Sequence, residues 1–278
     1  MKSILITGGS GFFGQGFVRY LLEHEKRVER ICIYSRGEHR QAAMREALRD
    51  DDRLRWFIGD VRDRDRLRRA MSGVEVVVAA AALKRIEVGA YNATEMIQTN
   101  VLGAINVVEA ARDAKVGRVV ALSTDKAYQP ISPYGLSKAL AEAVFLQAND
   151  NHGTQFAVTR YGNVAGSDGS VIPRWRAQLE KANGVTVTDP DCTRFWMTKD
   201  QAVELVWRTV NSMKGGELVI PELPAFKVGD LATAMGAHYT MGVEGLPGFS
   251  GLPAWEKMHE SMGPDNCSKD ARRMSVEE

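Results

Sequence analysis

The chain has 278 residues, 44% of them hydrophobic and 26% charged, the balance of a soluble globular protein with room for one large core or two modest domains. Thirty-six Lys and Arg stand against 35 Asp and Glu, so net charge points to neither nucleic acid nor a membrane surface. Arginines cluster between Arg53 and Arg69, but Asp60, Asp63 and Asp65 are interleaved there, as on a solvated, ion-paired face. Cys32, Cys192 and Cys267 are odd in number, far apart and without metal-ligand spacing, which suits a reducing compartment and no metal site. No apolar run approaches the roughly 20 residues that span a bilayer, and residues 1–7 read as a strand, so a cytoplasmic location is expected.

Ser3 to Thr7 is a short buried strand that runs into Gly8-Gly9-Ser10-Gly11-Phe12-Phe13-Gly14 and then a helix. Glycines 8, 11 and 14 form a variant of the dinucleotide-binding turn, where the backbone approaches a pyrophosphate and the helix offers it unpaired N–H groups. The second strand, Arg30 to Tyr34, is followed by Ser35, Arg36 and Arg40 where an NAD site usually places an acid. A hydroxyl and two guanidinium groups suit a 2′-phosphate, so NADP is favoured over NAD. A third strand, Trp56 to Val61, carries Asp60 where it could meet an adenine amino group. The apolar run Val74 to Ala82 is a fourth, ending in the small residues Ala80, Ala81 and Ala82, which leave room for a dinucleotide. A helix is expected over 94–114, a fifth strand over 118–122, and a sixth over 155–159.

This alternation predicts an α/β fold, a Rossmann-like doubly wound parallel sheet over residues 1–160. Residues 161–278, richer in turns, are expected to form a smaller substrate-binding lobe interleaved with the first domain. Helices are placed near 174–182, 200–213 and 228–235, strands near 185–188 and 217–220, and a turn-rich stretch from Gly245 to Pro253. The tail beyond Gly263 is polar and expected to be partly disordered.

The chemistry concentrates between Ser123 and Lys138. Thr124, Asp125 and Lys126 follow the fifth strand, at the carboxyl edge where open α/β sheets place their ligands. Tyr134 and Lys138 are four residues apart at the start of the next helix and share one face. An adjacent ammonium favours the phenolate, which fits a phenol for acid–base work.

In these blocks the chain resembles the extended short-chain dehydrogenase/reductases, and among them the inverting UDP-N-acetylglucosamine 4,6-dehydratases of the pseudaminic acid pathway type. The resemblance is carried by the glycine turn, Tyr34-Ser35-Arg36 with Arg40-Gln41, Ala82-Leu83-Lys84, Thr99-Asn100 and Ser123 to Lys138. It continues in Arg160 to Val164, Gly169 to Pro173, Arg194 to Thr198, and Glu256 to Glu260. It implies a lyase of polysaccharide biosynthesis, a homo-oligomer, that takes UDP-N-acetylglucosamine to a UDP-4-keto-6-deoxy sugar with NADP. Tyr134, tuned by Lys138, would take the 4-hydroxyl proton, Lys126 the C5 proton, and Asp125 would protonate the leaving 6-hydroxyl, with Thr124 near the 4-oxygen. The cofactor would meet Gly8, Ser10, Gly11, Phe12, Phe13, Gly14, Ser35, Arg36, Arg40, Asp60, Val61, Ala80–Ala82, Lys84, Asn100, Tyr134, Lys138 and Val164. The substrate would meet Lys84, Asn163, Ser170, Val171, Arg194 and Glu256. Where the family reads Arg-Pro-Gly-Glu-Lys, this chain reads Leu252-Pro253-Ala254-Trp255-Glu256-Lys257.

Other readings are a UDP-sugar 4-epimerase, a 5,6-dehydratase and a non-catalytic NADP-binding module. An epimerase needs no C5 base or C6 acid, and a silent module has no need to keep Tyr134, Lys138, Asp125 and Lys126 together.

Overall fold

A computed structural model describes residues 1–89, 91–149, 153–181, 184–236, 238–241 and 251–278. The expected turn-rich stretch from Gly245 lies, up to Ser250, outside these. In the first half, strands β1 (Ser3–Thr7), β2 (Arg30–Ser35), β3 (Leu54–Ile58) and β4 (Val76–Ala79) alternate with helices α1 (Phe12–His24), α2 (Glu38–Ala47) and α3 (Arg64–Ala70). Short helices α4 (Ile86–Gly89) and α5 (Ala93–Met96) lead through a π-helical turn, Ile97–Leu102, into α6 (Gly103–Asp113). Strand β5 (Arg118–Thr124) passes through a single 3₁₀ turn, Asp125–Ala127, to α7 (Pro133–Gln147) and then β6 (Gln155–Tyr161).

The second half holds β7 (Asn163–Val164), α8 (Val171–Leu179), β8 (Gly184–Val187), β9 (Thr193–Met197), α9 (Lys199–Ser212) and β10 (Leu218–Val219). It closes with β11 (Ala225–Lys227), α10 (Val228–Ala234), β12 (His238–Met241), β13 (Ser261–Gly263) and β14 (Asn266–Cys267).

Seven strands form one parallel sheet in the order β10-β6-β5-β4-β1-β2-β3, a doubly wound arrangement. Both faces are covered, which explains the near-continuous apolar strands. Ile4, Ile6, Ile31, Ile33, Val76 and Val78 meet Phe17, Val18 and Leu21 of α1 and Val203, Val206 and Val210 of α9. On the other face Leu5, Val77, Val119 and Phe156 meet Leu67 of α3, Val107 and Val108 of α6, and Phe145 of α7. Smaller sheets, β11-β9-β7 and β12-β8, are built from strands of the second half.

Three sequence expectations shift. β4 stops at Ala79 because the Thr7 hydroxyl accepts hydrogen bonds from the Ala80 and Ala81 N–H groups, both at 3.1 Å, and draws that chain out of the ladder. The helix expected over 94–114 is divided by the π turn, which seats Asn100 against Leu83. The tail past Gly263 is ordered rather than loose. Its polar residues are held by backbone hydrogen bonds, Ala225 N–H to the Arg272 carbonyl and Met274 N–H to the Ala225 carbonyl, both at 2.9 Å, and Ser268 is fully buried.

Candidate active site

A cleft of about 940 Å³ opens along the carboxyl ends of β1, β2, β4 and β5. Its floor is the glycine turn. Gly8 has φ +67° and lies so close to the opposite loop that an added Cβ would sit 3.0 Å from Ala81 Cα. At Gly14 an added Cβ would fall 2.4 Å from the Gly9 carbonyl oxygen, so helix and strand can pack only around glycine there. Helix α1 starts at Phe12 with Gly11 as its N-cap and no side-chain cap, which leaves the first-turn N–H groups for an anion. This cradle, with Ala80, Ala81 and Ala82 as the facing wall, fits a dinucleotide pyrophosphate.

At the adenosine end, the buried Ser35 hydroxyl is 2.8 Å from the Ser10 hydroxyl and accepts a hydrogen bond from Gln41 Nε2 at 2.8 Å. Gln41 also donates to the Ser35 and Phe57 carbonyls and so ties the ends of β2 and β3 together. The Arg36 and Arg40 guanidinium groups are exposed over this end, 3.8 Å from Asp60 and 3.7 Å from Asp168. Asp60 is held below the usual carboxylate range: burial opposes this, but hydrogen bonds from Arg62 outweigh it.

At the far end, β5 delivers the reactive set. The Thr124 hydroxyl donates to Asp125 Oδ1 at 2.9 Å, and Lys126 Nζ donates to the same oxygen at 3.1 Å. Ser132 caps α7 through the Gly135 N–H, and Pro133 fixes its first turn, so Tyr134 enters the cleft from a rigid helix start. Burial pushes the Tyr134 phenol up to about 12, against the pull of the Lys126 ammonium and a hydrogen bond with Thr124. Spacing on the helix pointed to Lys138 as the cation that tunes Tyr134. Lys126 also pulls the Tyr134 phenol down, and Lys138 Nζ donates to the Leu122 carbonyl at 2.6 Å. Burial brings Lys138 down to about 8, with Glu142 opposing.

A second carboxylate, Glu260, completes this end. Lys126 Nζ lies 3.3 Å from Glu260 Oε1, and Lys257 Nζ lies 3.7 Å from Glu260 Oε2. Burial raises the Asp125 carboxyl, as does the Glu260 charge, although Lys126 and Thr124 pull the other way. Burial works against the Lys126 ammonium, but Asp125 and Glu260 outweigh it and push its pKa up.

All the expected cofactor residues line the cleft except Asn100. Its side chain is consumed by the Leu83 N–H and carbonyl and by Ser137, so it clamps the loop after β4 to α7. Of the expected substrate residues, Lys84 and Asn163 line the cleft, whereas Ser170, Val171, Arg194 and Glu256 do not. Ser170 and Val171 start α8. Arg194 is buried, donates to the Thr193 and Met258 carbonyls, and meets Glu256 at 3.5 Å, so it pins the C-terminal segment. Sequence reading missed Glu260, Lys257, Tyr161 and Lys199, the last placed 5.3 Å over the Phe12 ring at the glycine turn. Tyr161, Lys257 and Glu260 lay in quoted blocks and Lys199 did not, and nothing in the chain order joins any of them to Lys126.

A family profile described as polysaccharide biosynthesis protein matches residues 4–276. The chain belongs to this family. It is 42% identical over 265 residues to the UDP-N-acetylglucosamine 4,6-dehydratase (inverting) of Campylobacter jejuni, covering 94% of this chain and 77% of the relative. With a UDP-glucose 4-epimerase of Rickettsia bellii it shares 39% identity over 266 residues, again 94% and 77% of the two chains. Among solved structures, the dTDP-glucose 4,6-dehydratase DesIV of Streptomyces venezuelae, with NAD and TYD bound, superposes with a TM-score of 0.79 at 26% identity, covering 91% and 88%. These relatives share the extended short-chain dehydrogenase/reductase architecture found here. Among the described residues, no helix is long and apolar enough to cross a membrane.

Proposed function

We propose that the chain is a UDP-N-acetylglucosamine 4,6-dehydratase of the inverting type. The observation that carries this reading is the contact of Asp125 with Lys126 beside Tyr134, at the end of a cleft whose other end cradles a dinucleotide. A bound nicotinamide dinucleotide would take hydride from C4 of the sugar and return it at C6. Tyr134, as the phenolate that the Lys126 ammonium and the Thr124 hydrogen bond favour against burial, accepts the 4-hydroxyl proton, with Thr124 within hydrogen-bond reach of both Tyr134 and Asp125.

The resting ion pair becomes an acid–base pair by one internal transfer across 3.1 Å. An N–H bond of the Lys126 ammonium breaks and an O–H bond forms on Asp125, which leaves an amine and a carboxylic acid. Lys126 then accepts the C5 proton and Asp125 protonates the departing 6-hydroxyl, which restores the ion pair and expels one water; when hydride returns at C6, C5 takes a proton that comes from solvent. The upward push on Asp125 favours the acid it must become.

Ser35, Arg36 and Arg40, with no acid at the end of β2, support NADP rather than NAD. The substrate sits, in this reading, between the sheet of residues 1–160 and the lobe built from residues 161–278, and the enzyme works in the cytoplasm. A second copy of the chain has a place to bind. Ile97, Leu102 and Ile105 are exposed beside Leu136 and Leu140 on α7, and the π turn brings residues 97 and 102 onto one face. Light scattering that reports a monomer would overturn this last point.

The second reading is a UDP-sugar 4-epimerase, favoured by the Rickettsia relative. Mass spectrometry of the protein with UDP-N-acetylglucosamine in deuterated water separates the two. Loss of one water with one deuterium kept at C5 is expected; unchanged mass with an inverted 4-hydroxyl would establish the epimerase instead.

A further inference from the structure

Three charged groups, Asp125, Lys126 and Glu260, meet at the far end of the cleft, and the proposed chemistry uses only the first two. Glu260 does not line the cleft and its side chain is 3% exposed, so it is out of reach of a sugar. Its position is nonetheless fixed from both sides. The Glu260 N–H donates to the Ser268 hydroxyl at 2.9 Å, and its carbonyl accepts from the Ser268 N–H at 2.8 Å. Two residues earlier the Met258 carbonyl accepts from the Thr193 N–H at 3.0 Å and from Arg194 at 3.2 Å. Lys257 Nζ reaches forward to the Tyr128 carbonyl at 2.7 Å, on the loop that leads into α7. The C-terminal segment is therefore strapped across the back of the reactive loop with a carboxylate aimed at Lys126.

We propose that Glu260 is the positioning residue for Lys126: it holds the side-chain nitrogen beside Asp125 in both protonation states and keeps the proton count of that pair. The reason is geometric. An ammonium has three N–H donors and an amine has two, so an ionised carboxylate at 3.3 Å still accepts one after the proton has gone. Without it, a lysine that loses its charge also loses its tie to Asp125 and is free to swing away. Among the described residues, Glu260 Oε2 and Asp125 Oδ2 are buried without a hydrogen-bond partner, so two carboxylates compete for the one ammonium between them. The groups facing Glu260 are Lys126, Arg194 and Lys257, and together they hold it ionised although burial opposes this. Those facing Lys126 are Asp125, Glu260, Arg194 and the Tyr134 phenol. The negative charge on Glu260 raises the proton affinity of both members of the pair.

This inference rests on the dehydratase reading only for its catalytic consequence, and its test does not. Lys126 lines the cleft, where a small acylating reagent can reach it. Competitive acetylation with acetic anhydride across pH 7–11, followed by mass spectrometry of the Lys126 peptide, reads the free-amine fraction without substrate. In Glu260→Gln, Lys126 is expected to be about tenfold more reactive at pH 9 than in the unaltered protein, since one pH unit is a tenfold change in free amine. Glu260→Asp, which keeps the charge but withdraws it, is expected to fall between the two and decides the matter if the Gln variant does not fold. Identical labelling curves in all three proteins would overturn the proposal. Run beside it, deuterium uptake at C5 tests the activity separately: an unaltered protein that takes up none counts against the dehydratase reading and leaves the labelling result standing.

Discussion

Tyr134 and Lys138 look alike in the sequence as partners, yet the structure gives them separate environments. Lys138 is bonded to a strand carbonyl and its pKa is lowered to about 8 by burial, below the ordinary lysine value of 10.5. The folded protein therefore releases this proton near pH 8, whereas the unfolded chain keeps it until about 10.5, so the unfolded state binds more protons in that window. Stability relative to Lys138→Met is expected to rise between pH 8 and 10. Urea midpoints that run parallel for the two proteins would contradict this. Lys126→Ala removes the proposed C5 base, so dehydration should fall at least a hundredfold. It also removes the cation that opposes burial at Tyr134, so NADPH build-up from C4 oxidation should persist but be slow. Stopped-flow absorbance at 340 nm checks both, and continued dehydration would mean that Lys126 is not the base. The reactive set was legible in the chain because Thr124 to Lys138 is contiguous. Glu260 was not, because tertiary packing alone brings it to Lys126.

Elements carry the next level of information. The six strands of the alternating half were readable from apolar runs between glycine turns, since a sheet covered on both faces writes itself as such runs. Their ends were not, because side chains decided them: Thr7 ended β4 and Asn100 organised the π turn. The strand Thr193–Met197 was hidden for a similar reason, since its Arg194 is a polar residue buried to hold the C-terminal segment. Arg160 plays the equivalent part on β6. It is paired with Glu142 of α7 in a buried fork, donates to the Met262 carbonyl of β13 at 2.7 Å, and lies over the Tyr128 ring. Arg160→Met leaves Glu142 buried without its cation and frees the strap. A loss of about 3–5 kcal/mol is expected, read from urea or thermal unfolding. A loss under ~1 kcal/mol would show that the fork is not structural.

At the scale of the whole molecule, the cleft joins two specificities that can be tested apart. Arg36→Ala with Arg40→Ala changes only exposed side chains at the adenosine end, so the fold should be kept. NADP binding by calorimetry is expected to weaken about a hundredfold, and NAD binding by less than threefold. Equal loss for the two cofactors would remove the basis for a 2′-phosphate site. The overall class was legible from the order of strands and helices. The way the second half returns to the first was not: a strand near 217–220 was expected, but its pairing with β6 as the seventh strand of the main sheet is set by tertiary packing that the chain order does not carry.

The strap over the reactive loop also sets an order in time. A ribosome delivers Asp125 and Lys126 first and Glu260 on the order of ten seconds later at ordinary rates of synthesis. During that interval the emerging chain can build most of its sheet and its glycine cradle, yet the lysine lacks the anchor that holds it to its task. A growing chain would thus grip a nucleotide before it is equipped to alter a sugar, and competence would arrive only once Glu260 has emerged.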